Sequence, residues 1–90
     1  MRRIWKWKLE RTDAQILDLP KGAEILTVQV QNDIPQLWAM VDDSVTETER
    51  RHIAMYGTDH PIYSKHGKYI GTIQLYSGKL VFHVFEEKDE

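Results

Sequence analysis

Glu24-Ile25-Leu26-Thr27-Val28-Gln29-Val30-Gln31-Asn32-Asp33-Ile34-Pro35-Gln36-Leu37-Trp38-Ala39-Met40-Val41 reads as a β-hairpin. Leu26, Val28 and Val30 share one face and Ile25, Thr27 and Gln29 the other, the alternation of a half-buried strand. Asn32-Asp33-Ile34-Pro35 supplies turn chemistry. A four-residue turn there pairs Val30 with Leu37, Val28 with Ala39 and Leu26 with Val41, so every apolar partner falls on one face. Trp38 and Met40 lie opposite, beside Gln29 and Thr27.

A second hairpin follows downstream. Tyr69 to Tyr76 and Lys79 to Phe85 flank Ser77-Gly78, and a two-residue turn pairs Leu75 with Leu80, Ile73 with Phe82 and Gly71 with Val84. The other face pairs Gln74 with Val81, Thr72 with His83 and Ile70 with Phe85. Both faces carry apolar groups, which predicts a central position or an oligomer interface. Gly71 marks a bulge or the close approach of another backbone.

Upstream, Arg3 to Leu9 alternates Trp5, Trp7 and Leu9 with Ile4, Lys6 and Lys8, and Ala14 to Leu19 is a short strand. Leu19-Pro20-Lys21-Gly22 reads as a type I turn with proline second and glycine fourth. Asp42 to Arg51 is polar; Ser44-Val45-Thr46-Glu47 fits a helix capping box, but no apolar periodicity follows, which favours a long loop over one or two helical turns. His52 to Tyr56 resumes strand character, and Tyr63-Ser64-Lys65-His66-Gly67 is turn-rich. The expected fold is all-β, a small antiparallel sandwich or barrel of about seven short strands with at most one short helix. Residues 1–90 form a single domain.

The composition, 41% hydrophobic with 10% aromatic residues, is that of a globular chain. No cysteine is present, which removes disulfides, thiolate metal sites and cysteine nucleophiles and points to the cytoplasm. The basic start, Met1-Arg2-Arg3-Ile4-Trp5-Lys6-Trp7-Lys8, has no apolar run behind it and so does not read as a signal peptide, and no stretch is long enough to span a membrane. Net charge is −2, basic residues lead and Glu86-Glu87-Lys88-Asp89-Glu90 closes, so the two ends are expected to attract each other. So small a domain buries a modest fraction of its surface, and homo-oligomerisation is the expected remedy.

The chemistry-bearing stretch is Met55-Tyr56-Gly57-Thr58-Asp59-His60-Pro61-Ile62. Asp59 could fix a histidine tautomer, Thr58 could donate to a carboxylate or phosphate, and His60 could act as acid or base near neutral pH. The same run has a full structural explanation: Gly57 ends a strand, Thr58 or Asp59 closes a turn, and Pro61 holds His60 extended. The weight falls on the structural reading, then on ligand or partner contact through Tyr56, Thr58, Asp59, His60 and nearby exposed Trp38, and last on catalysis. No catalytic residue, metal site or cofactor is assigned: His52, His60, His66 and His83 lack metal-motif spacing, and neither a G-x-S-x-G nucleophile context nor a phosphate loop is present. His83 reads as a hydrogen-bonded core residue and His66 as a solvated turn residue. Arg2, Arg3, Lys6 and Lys8 interleaved with Trp5 and Trp7 could form a nucleic-acid stacking platform, but such platforms carry more positive charge, and core tryptophans beside solvated lysines are the favoured reading.

In order along the chain, Ile4-Trp5-Lys6, Leu19-Pro20-Lys21-Gly22-Ala23, Leu26 to Asn32, Leu37-Trp38-Ala39, Tyr56 to Ile62 and Leu80 to Glu86 resemble segments of a family of small proteins encoded by bacteriophages, prophages and their bacterial hosts. The resemblance covers nearly the whole chain and implies a mobile-element origin and a cytoplasmic protein, with no activity to carry over. Asp59 stands where that family usually has Gly; a backbone with φ > 0 is easy for Gly and tolerable for Asp.

Three expectations follow. The first is a non-enzymatic binding module, acting on a host protein or small metabolite through the Tyr56 to Ile62 loop. The second is a nucleic-acid accessory protein using the N-terminal strand, and the third a small hydrolase centred on His60.

Overall fold

The structure, a computed structural model, describes residues 1–62 and 65–87. Tyr63 and Ser64 of the turn-rich stretch, and Lys88, Asp89 and Glu90 of the acidic end, lie outside the described residues. Seven strands follow one another: β1 (Arg2–Lys8), β2 (Ala14–Pro20), β3 (Glu24–Gln31), β4 (Ile34–Asp42), β5 (Thr48–Gly57), β6 (Lys68–Leu75) and β7 (Leu80–Glu87). They form two antiparallel sheets, ordered β1-β4-β3 and β2-β5-β7-β6, and no helix occurs among the described residues. The expected all-β, sandwich-like class holds.

Leu9, Leu19, Val28, Leu37, Ala39, Val41, Ile53, Met55, Ile73 and Val84, from both sheets, make one buried cluster. The sheets come closest along β3 and β6. Gly71 permits this approach, because a Cβ there would sit 3.0 Å from Val28 Cγ2. Gly71 also follows a bulge: Tyr69 pairs with Phe85 and Gly71 with Val84, leaving Ile70 without a partner in the ladder. The bulge read into that glycine is present, the close neighbour is a Val28 methyl rather than another backbone, and the expected Ile70–Phe85 pair is replaced by Tyr69–Phe85.

The opening hairpin is present with a tighter turn. Asn32 and Asp33 stand at φ 54° and 60°, the two left-handed residues of a type I′ turn, and Gln31 pairs directly with Ile34. The register therefore moves by two residues, so Val28 meets Leu37 rather than Ala39. A shift of two preserves the faces. A bulge at Leu26 then breaks the alternation, setting Ile25 opposite Ala39 and leaving Leu26 40% exposed. The β2–β3 connection closes one residue later than expected: Ala23 N donates to Pro20 O at 3.0 Å and Gly22 takes φ 83°, the left-handed third position of a type II turn.

The β6–β7 turn keeps its expected register, with Ser77 and Gly78 at φ 58° and 85°. β7 is central, whereas β6 is an edge strand, so the hairpin is only half central. Tyr76 also adopts φ 52°, uncommon for an aromatic residue. Its N–H donates to Asp33 Oδ1 at 3.3 Å and its ring lies 5.4 Å from the Arg11 guanidinium, stitching two turn tips together.

The capping-box stretch forms no helix. Asp42 Oδ1 accepts from Ser44 N at 3.0 Å and Ser44 Oγ at 2.7 Å, and Val45 N donates to Asp42 O, so Asp42 rather than Ser44 caps a turn. β5 then starts at Thr48, four residues before the expected His52, because Thr48 to Arg51 pair with Leu17 to Pro20. The Ser44 hydroxyl is the leading cause that holds the Asp42 carboxyl down at about 2, ahead of the Ser44 N–H and the terminal ammonium of Met1. A depressed carboxyl stabilises the fold above its unfolded value of 3.8, and that contribution is lost as pH falls towards 2. The Ser44 amide resonance is accordingly expected to titrate with a midpoint near 2, and Ser44→Ala to raise it; an unmoved midpoint in that variant would remove the cap.

Candidate functional site

Two surfaces gather functional side chains. One is the outer face of the second sheet. Tyr56 on β5, His83 and Phe85 on β7, and Tyr69 and Thr72 on β6 are held together by the ladders Tyr56–His83, Thr72–His83 and Tyr69–Phe85. Phe85 is the hub: the Tyr56, His66 and Tyr69 rings lie 5.6, 5.3 and 5.4 Å from it in tilted or edge-on contact.

A hydrogen-bonded chain crosses this face. Tyr69 OH and Thr72 Oγ1 are 2.5 Å apart, Thr72 Oγ1 and His83 Nδ1 2.9 Å, and His83 Nε2 and Thr58 Oγ1 2.8 Å. Tyr56 OH donates to Glu87 Oε1 at 2.9 Å. Partial burial, and then that carboxylate, push the Tyr56 phenol above its ordinary value. The Thr58–His83 contact has the geometry of a hydroxyl nucleophile and its base. Yet the other ring nitrogen meets a neutral threonine hydroxyl, and among the described residues no carboxylate bonds His83 to stabilise an imidazolium. His83 is hydrogen-bonded as expected, but on this outer face rather than in the core. His66 is exposed, and its Nδ1 contacts Gly67 O.

The Tyr56 to Ile62 loop therefore splits. Tyr56 and Thr58 join the sheet network, while Asp59 and His60 are exposed. His60 N donates to Gly57 O at 3.1 Å, with Asp59 at φ 70° as the left-handed third residue of a type II turn. The φ > 0 backbone read at Asp59 is present, whereas Gly57, which ends its strand, has no positive φ. Gly57 matters for another reason: a Cβ there would lie 2.8 Å from the His60 ring, which folds back over it. Asp59→Gly is expected to be neutral or stabilising by up to about 1 kcal/mol and Asp59→Ala destabilising by about 1 kcal/mol, read by urea unfolding. Equal stability in both variants would contradict the turn.

Trp38 is not with the loop. It sits on β4 in the other sheet, half-buried between Lys6 and Thr27, with Lys6 Nζ 5.5 Å from its ring centre. Its Nε1 is buried with no hydrogen-bond partner among the described residues. Trp38 lines the second surface, a groove of about 670 Å³ between the β1 edge of one sheet and the β2 edge of the other. Trp5, Trp7, Lys6, Asp18 and Pro20 also border it.

β1 pairs on one side only, with β4. Its register puts Trp5 and Trp7 opposite the core residues Ala39 and Leu37. Their rings lie 6.3 Å apart, but the sheets part here and Trp5 remains 41% exposed. Read as a core residue of its strand, Trp5 is instead the wall of an opening, a result fixed by how the sheets splay. The alternation of Trp and Lys gave the only signal of it in sequence. The N-terminal charges are partly spent within the chain: Arg3 pairs with Asp43, the Met1 ammonium with Asp42 and Asp43, and Lys6 donates to Gln31 Oε1 at 2.5 Å. Lys88, Asp89 and Glu90, to which the expected attraction between the chain's ends also refers, lie outside the described residues.

Among the described residues no cluster of His, Asp and Glu is arranged to hold a metal ion, and no helix is long and apolar enough to cross a membrane. No curated protein and no solved structure matches the chain. The family model described as Domain of unknown function (DUF7352) matches residues 1–90, the whole chain, which therefore belongs to that family.

Proposed function

We propose that the domain is a non-enzymatic binding module whose ligand seats in the groove beside β1. The observation that carries this reading is an exposed indole on a cavity: Trp5, 41% exposed, borders a groove of about 670 Å³ together with Trp7 and Trp38. Ligand sites are mostly apolar concavities of about 300–1,000 Å³ with a few polar groups. This groove has that volume and an apolar wall with Lys6 and Asp18 on its rim, and it is shallow and open to solvent. The Tyr56 to Ile62 loop ranks second, because the Tyr56 and Thr58 hydroxyls are already bonded to Glu87 and His83. The basic-aromatic strand ranks lower still as a nucleic-acid platform, since Arg3 is neutralised by Asp43 and the chain is acidic overall. A phage or prophage setting and a cytoplasmic location follow the segment resemblance and the cysteine-free composition.

Native mass spectrometry of the protein purified gently from bacterial cells tests this. A stoichiometric companion lost in Trp5→Gln and kept in His60→Ala and Tyr56→Phe is the expected result. The reverse pattern would move the site to the loop. Bare protein in every preparation would remove the binding reading.

A further inference from the structure

The two unpaired sheet edges that flank the groove differ in what they offer. In β1, the flanking bonds fix which backbone groups are free: Asp43 N donates to Met1 O and Leu9 N to Pro35 O. Hydrogen-bonded pairs in an antiparallel ladder recur at every second residue. Arg3, Trp5 and Trp7 therefore exchange bonds with β4, while the N–H and C=O groups of Arg2, Ile4, Lys6 and Lys8 point away from it, along the open edge. The same count on β2, from Met55 N to Asp13 O and Lys21 N to Glu47 O, turns Ala14, Ile16, Asp18 and Pro20 outward. Pro20 has no N–H to give, an ordinary guard of an edge strand; both edges carry charge, so proline is what separates them. β1 carries no proline across its seven residues.

We propose that β1 accepts an extended strand of an acidic partner protein, added edge to edge, with apolar side chains of that strand lodged in the tryptophan groove. This rests on the binding-module reading and names its ligand class. Side chains of Arg2, Lys6 and Lys8 share one face, so an added strand places every second residue beside them. Lys6 bonds neutral Gln31 and lies over the Trp38 ring, and among the described residues no carboxylate pairs with Arg2, Lys6 or Lys8, which leaves these charges for a partner. The intervening residues of the added strand fall beside Trp5 and Trp7, where an apolar side chain fits. The favoured sequence thus alternates acidic and apolar residues.

A second copy of this chain is a poor occupant. Two-fold antiparallel pairing of β1 about Trp5 sets Arg2 against Lys8; about Ile4 it sets Arg2 against Lys6, and about Lys6 that lysine against itself. Like charges directly opposite are destabilising. The cations thus select against self-pairing and for an acidic strand, which is both halves of specificity.

The probe is an acetylated, amidated heptapeptide alternating Glu with Phe and Leu, titrated into ¹⁵N-labelled protein. Expected are at least about tenfold slower exchange of the Arg2, Ile4, Lys6 and Lys8 amides, shifts of the Trp5 and Trp7 indole signals, and binding that weakens with salt. Lysine in place of every Glu should weaken binding at least about tenfold. Ile4→Pro removes an outward N–H without touching the β4 ladder, and should cost at least about tenfold in peptide affinity with the rest of the spectrum unchanged. Should Ile4→Pro disturb the strand, the double variant Lys6→Gln, Lys8→Gln asks the same question through charge.

Unprotected edge amides, equal binding of the lysine peptide, or full affinity in both variants would overturn the proposal. So would a dimer of the free protein that Ile4→Pro dissociates, since the occupant would then be a second copy. A groove-bound companion in native mass spectrometry alongside unprotected edge amides would overturn strand addition alone. Loss of both would overturn the binding reading as well.

Discussion

Gly67→Ala is expected to destabilise the domain by about 2–4 kcal/mol, measured as a lowered urea midpoint at unchanged slope. A Cβ at Gly67 would lie 2.0 Å from the Glu86 carbonyl oxygen and 2.8 Å from both the Glu86 carbonyl carbon and Glu87 Cα. Those are backbone atoms of the central strand β7, so no side-chain rotation relieves the overlap. Either the segment entering β6 lifts off β7 or the end of β7 bends. Both outcomes weaken the Lys68–Glu86 pair, and faster exchange of the Lys68 amide should accompany the loss. A change below about 0.5 kcal/mol, the range of a neutral surface substitution, would mean that this close approach is absent. Gly71→Ala is a useful contrast, because its Cβ meets a Val28 methyl at 3.0 Å, a softer neighbour that can give.

Arg51→Ala is expected to cost a similar amount, about 2–4 kcal/mol. Arg51 grips Glu86 through Nε and Nη2, and its Nη1 donates to Ala23 O at 2.8 Å and Glu49 Oε1 at 3.1 Å. The Arg51 and Glu86 side chains are only 16% and 21% exposed, so the pair is poorly screened by water. Removing the guanidinium leaves a half-buried carboxylate on β7 and an unsatisfied carbonyl at the β2–β3 turn. Glu49 Oε1, which accepts from Gly22 N of the same turn at 3.2 Å, also loses the cation beside it. The carboxylate of Glu86 raises the Arg51 pKa further, and the guanidinium stays charged throughout the usable pH range. Replacing the pair with apolar groups, Arg51→Met with Glu86→Leu, should recover much of the loss, since neither charge is then stranded. A double variant as unstable as Arg51→Ala would show that the Ala23 contact, rather than the Glu86 pair, carries the effect.

The strand count, the antiparallel hairpins and the core faces of β4 and of the β6–β7 hairpin were legible in the sequence. By contrast, β2 and β5 were read only as strands, and Leu26 faces out where Ile25 packs inward. Period-two alternation is a local property, and burial on one face enforces it. Thr72 opposite His83 was readable for the same reason, because Ser77-Gly78 sets that register by itself. The β3–β4 register was not: Asn32-Asp33 suits turns of more than one length, and a slip of two residues keeps the same faces inside. The left-handed Gly22 required knowing which turn closes around it, whereas φ > 0 at Asp59 was legible from the glycine usual at that position.

What only the tertiary structure decided lies between elements far apart in the chain. Arg51 sits in a run that reads as polar loop, and its partner is 35 residues away on β7. Gly67 looked like an ordinary turn glycine until β7 was placed against it. Thr58 meets His83 because long-range pairing sets β5 beside β7 in one sheet, and Trp38 parts from the Tyr56 loop because β4 belongs to the other. The groove is the clearest case. Sequence periodicity assigns Trp5 and Trp7 a core-facing side, but how much of each is covered depends on how far the two sheets diverge at β1 and β2. The close approach lies at the opposite edge, where β6 packs on β3 beside Gly71 and Val28, a contact no local pattern encodes.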